Sequence, residues 1–220
     1  MIQGYFGLPG SGKTTFLAML AQKELRKIKK NKSKYEKVLT NFYCDGCYKI
    51  DYKDLGHFSI ENSLILLDEI TLDADSRDFK QFDKFHKSFF LLHRHYNCDV
   101  IYFTQQYDGV DKKIRDITSS LYRVKKVAFI SIATQIYRCL DINEQTKEIV
   151  QGYRFPNIIE RIFCRVHRYC LRPIYYKYFD SWERPDLEDY EFSLWRKFES
   201  VDLFPPDDLF PHDDLFPPDI

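Results

Sequence analysis

The sequence predicts an α/β fold in which helices flank a parallel core sheet. Three observations support this prediction. A glycine-rich stretch, residues 7–14, lies between a strand-like and a helix-like segment. Two further apolar segments, residues 63–67 and 99–103, end in polar side chains, as buried strands do at the edge of a sheet where ligands bind. From residue 120 to 155 the pattern is strand-like, which predicts β-rich additions to the core.

The glycine-rich stretch reads GLPGSGKT and matches the phosphate-binding loop (P-loop), G-x-x-x-x-G-K-[ST]. Its glycines permit a tight turn whose backbone N–H groups surround a polyphosphate, and the following helix points its positive dipole end at the same anion. We expect Lys13 to contact the β- and γ-phosphates of ATP and Thr14 to provide a hydroxyl ligand for Mg²⁺. The residues expected to bind the nucleotide are Gly7, Pro9, Gly10, Ser11, Gly12, Lys13, Thr14 and Thr15.

The segment 63–67 (SLILL) predicts a buried strand that is followed directly by two carboxylates, Asp68 and Glu69. This is the pattern of a Walker B strand. Asp68 is expected to hold Mg²⁺, and Glu69 to orient and polarise the water that attacks the γ-phosphate. The alternative is a strand that ends in two solvated acids.

The segment from Asp99 to Gln106 predicts a second buried strand. If it lies beside the Walker B strand, Thr104 and Gln105 stand next to the two carboxylates. A neutral amide at that place is suited to sensing the γ-phosphate, so Gln105 is a candidate catalytic residue. The alternative is an ordinary strand terminus.

Two arginines are candidates for an arginine finger supplied to a neighbouring subunit. Apolar residues recur every three or four positions between 82 and 96, which predicts a helix with an aromatic core face. Arg94 points away from that face, and Arg115 is exposed on a short helix predicted over residues 111–118. Both arginines could equally be solvated. The predicted core face consists of Phe82, Phe85, Phe89, Leu92 and Tyr96.

Composition indicates a globular chain of one large domain, or of one domain with an appendage. The 220 residues are 44% hydrophobic and 30% charged, with a formal net charge of zero. No signal peptide and no apolar run long enough for a transmembrane helix are evident, so we expect any membrane association to come through partners. The six cysteines are expected to be reduced thiols in a cytosol, which predicts a cytoplasmic protein.

Three segments each allow more than one interpretation. Cys44-Asp45-Gly46-Cys47 is a turn, or part of a zinc site with Cys164, His167 and Cys170, or a redox pair. The basic stretch 23–34 is a solvated helix end or a phosphate-contacting patch. The stretch 161–178, which mixes cations with aromatic rings, is a nucleic-acid surface or an amphipathic structural segment.

The last twenty residues repeat DLFPxD three times and hold six aspartates but no Lys or Arg. Such a sequence cannot bury a core, and it predicts a disordered acidic tail over 201–220. The tail is a multivalent docking peptide or a repeat expansion without a role. We therefore expect a P-loop ATPase domain over 1–180, a linker or terminal helix over 181–200, and the tail.

Around the two Walker motifs the chain resembles the zonular occludens toxin (Zot) family, which includes the assembly ATPases of filamentous phages. The resemblance spans roughly residues 1–180. It implies a P-loop core related to DNA-pumping ATPases that works at the bacterial inner membrane during virion assembly and export. The resembling stretches are 7–15, 64–69, His93-Arg94-His95, 99–105 and 111–116.

The function expected from these observations is Mg-ATP hydrolysis for phage assembly, export or DNA translocation. A homo-oligomer, such as a ring, with phage DNA or coat proteins as partners is the expected setting. A small-molecule kinase and a non-catalytic, nucleotide-dependent scaffold remain the alternatives. Glu69 directly after Asp68 favours water activation over transfer to an acceptor, and Lys13 with Thr14 argues against a scaffold.

Overall fold

The fold is described here from a computed structural model, which covers residues 1–70, 84–142 and 149–179. These residues belong to one compact unit spanning Met1–Glu183. The predictions for 181–200 and 201–220, and for Phe82, fall outside the described residues.

The described residues form a nine-stranded mixed sheet with the order β3-β2-β4-β5-β1-β6-β7-β8, and β9 pairs with β7. The strands from β3 to β6 in this order are mutually parallel, while β7 runs antiparallel to β6, β8 and β9. The predicted parallel core with β-rich additions after residue 120 is thus present. The strands are β1 (Ile2–Phe6), β2 (Lys37–Thr40), β3 (Tyr48–Lys49), β4 (Ser63–Leu67), β5 (Asp99–Thr104), β6 (Ser120–Val127), β7 (Ile130–Ile142), β8 (Ile149–Arg154) and β9 (His167–Leu171).

The register of the parallel strands brings the predicted site together at one edge. Phe6 at the end of β1 pairs with Thr104 at the end of β5, and Leu67 at the end of β4 pairs with Tyr102. The P-loop follows β1 and the two carboxylates follow β4, so both leave the sheet at its carboxyl edge. Strand β5 lies between them.

Helices cover both faces of this core. The α-helices in the described part of the chain are α1 (Lys13–Lys29), α2 (Lys84–Leu92), α3 (Lys112–Ile117) and α4 (Ile158–Phe163). Alternate residues of a strand point to opposite faces. Phe103 of β5 packs with Phe16 of α1, whereas Tyr102 packs in a second core cluster with Phe90 of α2 and Ile114 of α3. Helix α1 therefore lies on one face, and α2 and α3 lie on the other.

The predicted core face of α2 is wrong in most of its positions. The helix ends at Leu92, and Phe85, Leu92 and Tyr96 are 53%, 40% and 38% exposed. The chain turns over residues 93–97 to enter β5, which removes Tyr96 from the helix. The buried face instead contains Phe89, as predicted, together with His86, Phe90 and His93.

Both buried histidines make hydrogen bonds to backbone carbonyl groups. His86 Nε2 lies 3.0 Å from the Tyr52 oxygen, and His93 Nδ1 lies 2.8 Å from the Phe90 oxygen. They are core residues whose rings are held by the backbone. His95 is exposed, so His93 and His95 do not share an environment.

Strands β6 and β7 form a hairpin. Lys125 and Lys126 belong to β6 and pair with β7, and the chain turns at Ala128 and Phe129. Ala128 has φ = 48°, the left-handed conformation that such tight turns require.

Of the described helices, none is long and apolar enough to cross a membrane.

Arg168 of β9 supports the structural interpretation of the stretch 161–178. Its guanidinium lies 4.4 Å from the centroid of the Tyr122 ring, donates to Gln3 Oε1 over 3.0 Å and also donates to the Tyr5 hydroxyl. The side chain therefore anchors β9 on the aromatic core beside α1, a packing role that uses both its charge and its flat surface.

Candidate nucleotide-binding site

The P-loop begins where β1 ends and finishes at the first turn of α1. Gly7 N–H donates to the Thr104 carbonyl over 3.2 Å, which fixes the start of the loop to the end of β5. Gly10 and Gly12 have φ of 73° and 82°, values that favour glycine. Gly12 is the N-cap of α1, so the unpaired N–H groups of the helix start belong to the loop and suit an anion.

The β-rich addition holds the outer side of the loop. Ser131 of β7 donates through its hydroxyl to the Ser11 carbonyl over 2.8 Å. A Cβ placed on Gly12 would overlap Ser131 Oγ and lie 2.7 Å from Arg172 Cδ, and one placed on Gly7 would lie 2.6 Å from the Val124 carbonyl oxygen. Both glycines are thus required by close packing, and the loop is set by β6 and β7 as well as by its own sequence.

Lys13 lies within the loop rather than on the surface. It is 8% exposed, and its Nζ donates to the carbonyl groups of Gly7 and Leu8 over 2.9 and 3.4 Å. The ammonium group is therefore held next to the N–H groups at the start of α1, where it adds positive charge to the same anion site.

The two Walker motifs meet through Thr14 and Asp68. Thr14 Oγ1 donates to Asp68 Oδ2 over 2.6 Å. Burial raises the pKa of the Asp68 carboxyl, and the nearby Glu69 charge adds to this effect, while the Thr14 hydrogen bond and the Lys13 charge oppose it. An ionised Asp68 is consequently costly unless a cation is close.

Asn41, which follows β2, fixes the backbone of Asp68. Its Nδ2 donates to the Asp68 carbonyl over 2.8 Å, and its Oδ1 accepts from the Asp68 N–H over 2.7 Å. The Asn41 amide thus makes the two hydrogen bonds to residue 68 that the backbone of a neighbouring strand would make. These bonds fix the backbone of Asp68 and so help to position its carboxylate at the carboxyl edge of the sheet.

Glu69 lies between Asp68 and the end of β5. Its N–H donates to Asp68 Oδ1 over 3.1 Å, and its Oε1 accepts from the Gln105 N–H, also over 3.1 Å. Its φ is 47°, which is uncommon for a residue with a side chain and is frequent where function requires a strained backbone. The expectation that Gln105 lies beside the carboxylates is met through its backbone; its side chain is exposed.

The oxygen atoms of Thr14 and Asp68 fit a magnesium ion. Mg²⁺ prefers oxygen ligands and is commonly bound by one or two protein groups together with substrate phosphates. Within residues 1–70, 84–142 and 149–179, no group of three or more His, Cys, Asp or Glu side chains is arranged to hold a metal ion. A site that shares its ion with a nucleotide phosphate does not need such a group.

Comparison with known families decides the identity of this P-loop protein. The family model of zonular occludens toxin (Zot) matches residues 2–163. This chain belongs to the Zot family. The match covers the P-loop, both carboxylates and strands β1 to β8, whereas β9 and Arg172 lie beyond it.

The Zot-family chain is also similar to several solved structures. The N-terminal domain of zonular occludens toxin from Neisseria meningitidis has 18% identity and a TM-score of 0.47, with 73% of this chain and 96% of that chain covered. The genome-packaging NTPase B204 of Sulfolobus turreted icosahedral virus 2, in complex with ATPγS, has 10% identity and a TM-score of 0.42, covering 70% and 98%. The flagellar accessory protein FlaH of Methanocaldococcus jannaschii has 13% identity and a TM-score of 0.41, covering 69% and 88%. Comparison with curated proteins gives no match.

The two candidate finger arginines of this Zot-family chain lie in different surroundings. Arg94 is exposed in the turn before β5, and so at the edge of the sheet opposite the P-loop. Arg115 of α3 forms an ion pair with Asp108 at 3.1 Å, and its guanidinium lies 5.7 Å from the centroid of the Tyr107 ring. Neither arginine belongs to the cluster of Lys13, Thr14, Asp68 and Glu69.

Cys44 and Cys47 form the predicted turn. Cys47 N–H donates to the Cys44 carbonyl over 3.0 Å, and Gly46 has φ = 79°. A hydrogen bond between the two thiols lowers the pKa of Cys44 and raises that of Cys47. Of the proposed zinc partners, Cys164 is exposed and Cys170 is buried against α1, with Sγ 3.8 Å from the Thr15 carbonyl oxygen.

Three residues of the site were missed by reasoning from the sequence. Asn41 follows a short strand, as Asp68 follows β4 and Gln105 follows β5. Its position at a strand end could therefore have identified it from the sequence as a candidate site residue. Ser131 and Arg172 reach the loop from β7 and from the segment after β9. Nothing in their local sequence indicates a contact with residues 11 and 12, some 120 and 160 positions earlier along the chain.

Proposed function

We propose that this Zot-family chain hydrolyses Mg-ATP and that the energy drives phage assembly, export or DNA translocation. The observation that carries the proposal is the 2.6 Å hydrogen bond between Thr14 and Asp68. It joins the hydroxyl of the phosphate-binding loop to the carboxylate of the Walker B strand, which is the pair that an Mg-nucleotide requires. Family membership supports the same conclusion, because the family includes phage assembly ATPases.

Each residue of the cluster has a distinct part in the proposed reaction. The N–H groups of the loop and the Lys13 ammonium bind the phosphates, and Thr14 with Asp68 hold Mg²⁺, which neutralises phosphate charge when bound. Glu69 accepts a proton from the attacking water or orients it. The Gln105 N–H donates to one carboxylate oxygen of Glu69 over 3.1 Å and so orients the carboxylate beside the end of β5.

The first experiment measures binding and hydrolysis together. Wild-type protein should gain about 2.7 kcal/mol of stability at Mg-ATP a hundredfold above its dissociation constant and should release phosphate. Lys13→Ala should lose both effects. Lys29→Ala, a change at an exposed position in the last turn of the same helix, is the matched control and should keep both. A melting temperature that does not respond to Mg-ATP would exclude a nucleotide site.

Glu69→Gln separates hydrolysis from binding. The substitution keeps the size of the side chain and an oxygen for the Gln105 N–H but removes the carboxylate, so binding should remain while phosphate release is lost. Normal hydrolysis by Glu69→Gln would show that Glu69 is not the base and would favour a kinase. Stimulation of the wild type by single-stranded DNA would support DNA translocation.

The proposal also includes the oligomeric state, the location and the partners of the protein. A homo-oligomer, membrane attachment through partner proteins at the bacterial inner membrane, and phage DNA or coat proteins as partners fit a family that includes phage assembly ATPases. Size-exclusion chromatography with light scattering, with and without Mg-ATP, tests the homo-oligomer directly.

A further inference from the structure

A cleft of about 860 Å³ lies beside the P-loop, between the loop and the carboxyl end of β6. One of its walls is the outer rim of the loop, residues 7–11. The other wall comes from β6, β7 and the residue that follows β8. Its volume is within the range of pockets that bind small molecules. Beyond the loop the cleft is lined by Phe6, Gln105, the β6 residues 123–126, Ile136 and Phe155.

The position of the cleft relative to the two carboxylates predicts the orientation in which a nucleotide would bind. Thr14 and Asp68, the residues that would hold Mg²⁺, meet on the β4 and β5 side of the loop, so the γ-phosphate of a bound nucleotide would lie toward that side. Strand β6 lies on the other side of β1. A nucleotide whose phosphates occupy the loop thus directs its ribose and base toward β6, where the cleft continues from Gln105 to Phe155.

The chemistry of the far end of the cleft suits a flat, electron-rich ring. The Arg123 guanidinium lies 5.7 Å from the centroid of the Phe155 ring, and Phe155 is 46% exposed. Ile136, which is buried, adds an apolar side chain to the lining of the same cleft. Aromatic rings and guanidinium planes are the two side-chain surfaces on which nucleobases stack.

We propose that this cleft is the base-binding half of the nucleotide site, with the purine of ATP stacked on the surface formed by Phe155 and Arg123. The inference rests on the proposed function, because it assigns the remainder of the same ligand. Lys125 is exposed and lines the same cleft, where its charge would attract the phosphates of the ligand. The loop binds phosphates through backbone groups, so selectivity for a base has to come from these side chains.

The test compares a ligand that has a base with one that has none. Mg-ATP and Mg-tripolyphosphate are titrated separately into wild type, Phe155→Ala and Phe155→Tyr. Phe155→Ala should bind Mg-ATP roughly tenfold more weakly, since loss of one stacking partner is of that size, and should bind tripolyphosphate as wild type does. Phe155→Tyr keeps the ring and should keep the affinity for ATP.

The control is Phe163→Ala on α4. Phe163 is 81% exposed and does not line the cleft, so its removal should change neither affinity. Nucleotide-free melting temperatures of all variants report whether each folds normally, and Arg123→Gln, which removes the guanidinium but keeps a polar side chain, provides a second route to the same loss.

The possible results separate this inference from the proposed function. Unchanged ATP affinity in both Phe155→Ala and Arg123→Gln overturns the cleft assignment while the ATPase stands. Equal loss of ATP and tripolyphosphate affinity also overturns it, because the effect would then lie in the loop. Loss of oligothymidylate binding with unchanged ATP affinity would overturn it in favour of a single-stranded nucleic-acid surface. If wild type binds neither ATP nor tripolyphosphate, the proposed function fails and the inference falls with it.

Discussion

The Thr14 hydroxyl donates to the Asp68 carboxylate over 2.6 Å, although the two residues are 54 positions apart in the chain. The contact exists because β1 and β4 end at the same edge of a parallel sheet with only β5 between them. It places Asp68, a carboxylate whose pKa is raised by burial, directly beside the hydroxyl of the phosphate-binding loop. Removal of that charge should therefore affect stability and ligand binding in opposite directions.

Asp68→Asn should stabilise the nucleotide-free protein at neutral pH and remove the response to Mg-ATP. Burial raises the pKa of Asp68 in the folded state, so the folded state holds the proton more tightly than the unfolded state does. Stability is then greatest below the unfolded pKa, near 3.8, and falls as the pH rises through the raised folded pKa. At any pH above the folded-state pKa, the buried Asp68 carboxylate is ionised and lowers the stability of the folded protein by its full desolvation cost.

Melting temperatures across this pH range, with and without Mg-ATP, provide the measurement. As the pH rises from about 4 through the raised pKa of Asp68, the melting temperature of wild type should fall relative to that of Asp68→Asn, and the variant should melt higher at neutral pH. A variant that melts below wild type at neutral pH without ligand would contradict the argument, since the ionised carboxylate would then be stabilising.

Asn41→Ala should weaken Mg-ATP binding more than its effect on folding accounts for. The substitution removes both hydrogen bonds to the Asp68 backbone and should lower the free energy of unfolding by about 1–3 kcal/mol. It should also raise the Mg²⁺ concentration needed for half-maximal activity, because Asp68 is no longer held in place.

Thr134→Ala is the control for this prediction. It removes a hydrogen bond of similar kind, 3.0 Å from the Thr134 hydroxyl to His167 Nδ1, in the β-rich addition. It should lower stability without any change in the Mg²⁺ requirement. An Mg²⁺ requirement of Asn41→Ala equal to that of this control would mean that Asn41 stabilises the fold and does not position Asp68.

How far the sequence predicts this site depends on whether a residue acts locally. The P-loop, β1 and β4 follow from local pattern: Gly10 and Gly12 adopt the positive φ that the motif requires, and four apolar residues before Asp68 make a buried strand. The place of Gln105 beside Glu69 followed from one further assumption, that β4 and β5 are neighbours. Both kinds of reasoning succeed because parallel strands share their carboxyl edge.

The predictions that failed are those for which spacing alone leaves two faces equally plausible. On α2 the periodicity of Phe85 and Leu92 indicated one face, but the sheet buries the face with His86 and Phe90. A histidine whose ring nitrogen finds a backbone carbonyl is as acceptable in the core as a phenylalanine. The contact of Arg172 with the loop depends on tertiary packing of β9, which no local pattern reports.

Gly12→Ala should destabilise the nucleotide-free protein more than Gly10→Ala does. Both glycines have positive φ, so an alanine at either position costs roughly 1–2 kcal/mol in backbone strain. At Gly10 a Cβ meets nothing within 4 Å, whereas at Gly12 it meets Ser131 and Arg172. The difference between the two variants isolates the packing of the β-rich addition against the loop.

Melting temperatures of the two variants and of their combinations with Ser131→Gly test this. Ser131→Gly should recover part of the loss in the Gly12→Ala background and none in the Gly10→Ala background, because only the first has an overlap to relieve. Equal melting temperatures for Gly10→Ala and Gly12→Ala would show that β7 does not constrain the loop.

Arg94 and Arg115 remain candidates for a finger supplied to a neighbouring subunit, and their positions make the test informative. Arg94 precedes β5, a strand of six residues that is about 20 Å long, so it cannot reach the P-loop of its own chain. Arg115 is paired with Asp108, whose side chain is 96% exposed. The Arg115 side chain itself is only 26% exposed, so it is less exposed than the sequence predicted, and to reach a neighbour it has to leave both Asp108 and the Tyr107 ring.

A finger in trans predicts rescue in mixed oligomers. Arg94→Ala or Arg115→Ala alone should lower the rate by on the order of 10³ to 10⁵, as such arginines do in GTPases, while Arg26→Ala, an exposed residue of the last turn of α1, should not. Mixing the inactive arginine variant with Lys13→Ala should restore part of the activity, because one subunit supplies an intact P-loop and the other an intact arginine. Absence of rescue for both arginines, in mixtures shown to assemble together, would exclude a finger in trans at either position.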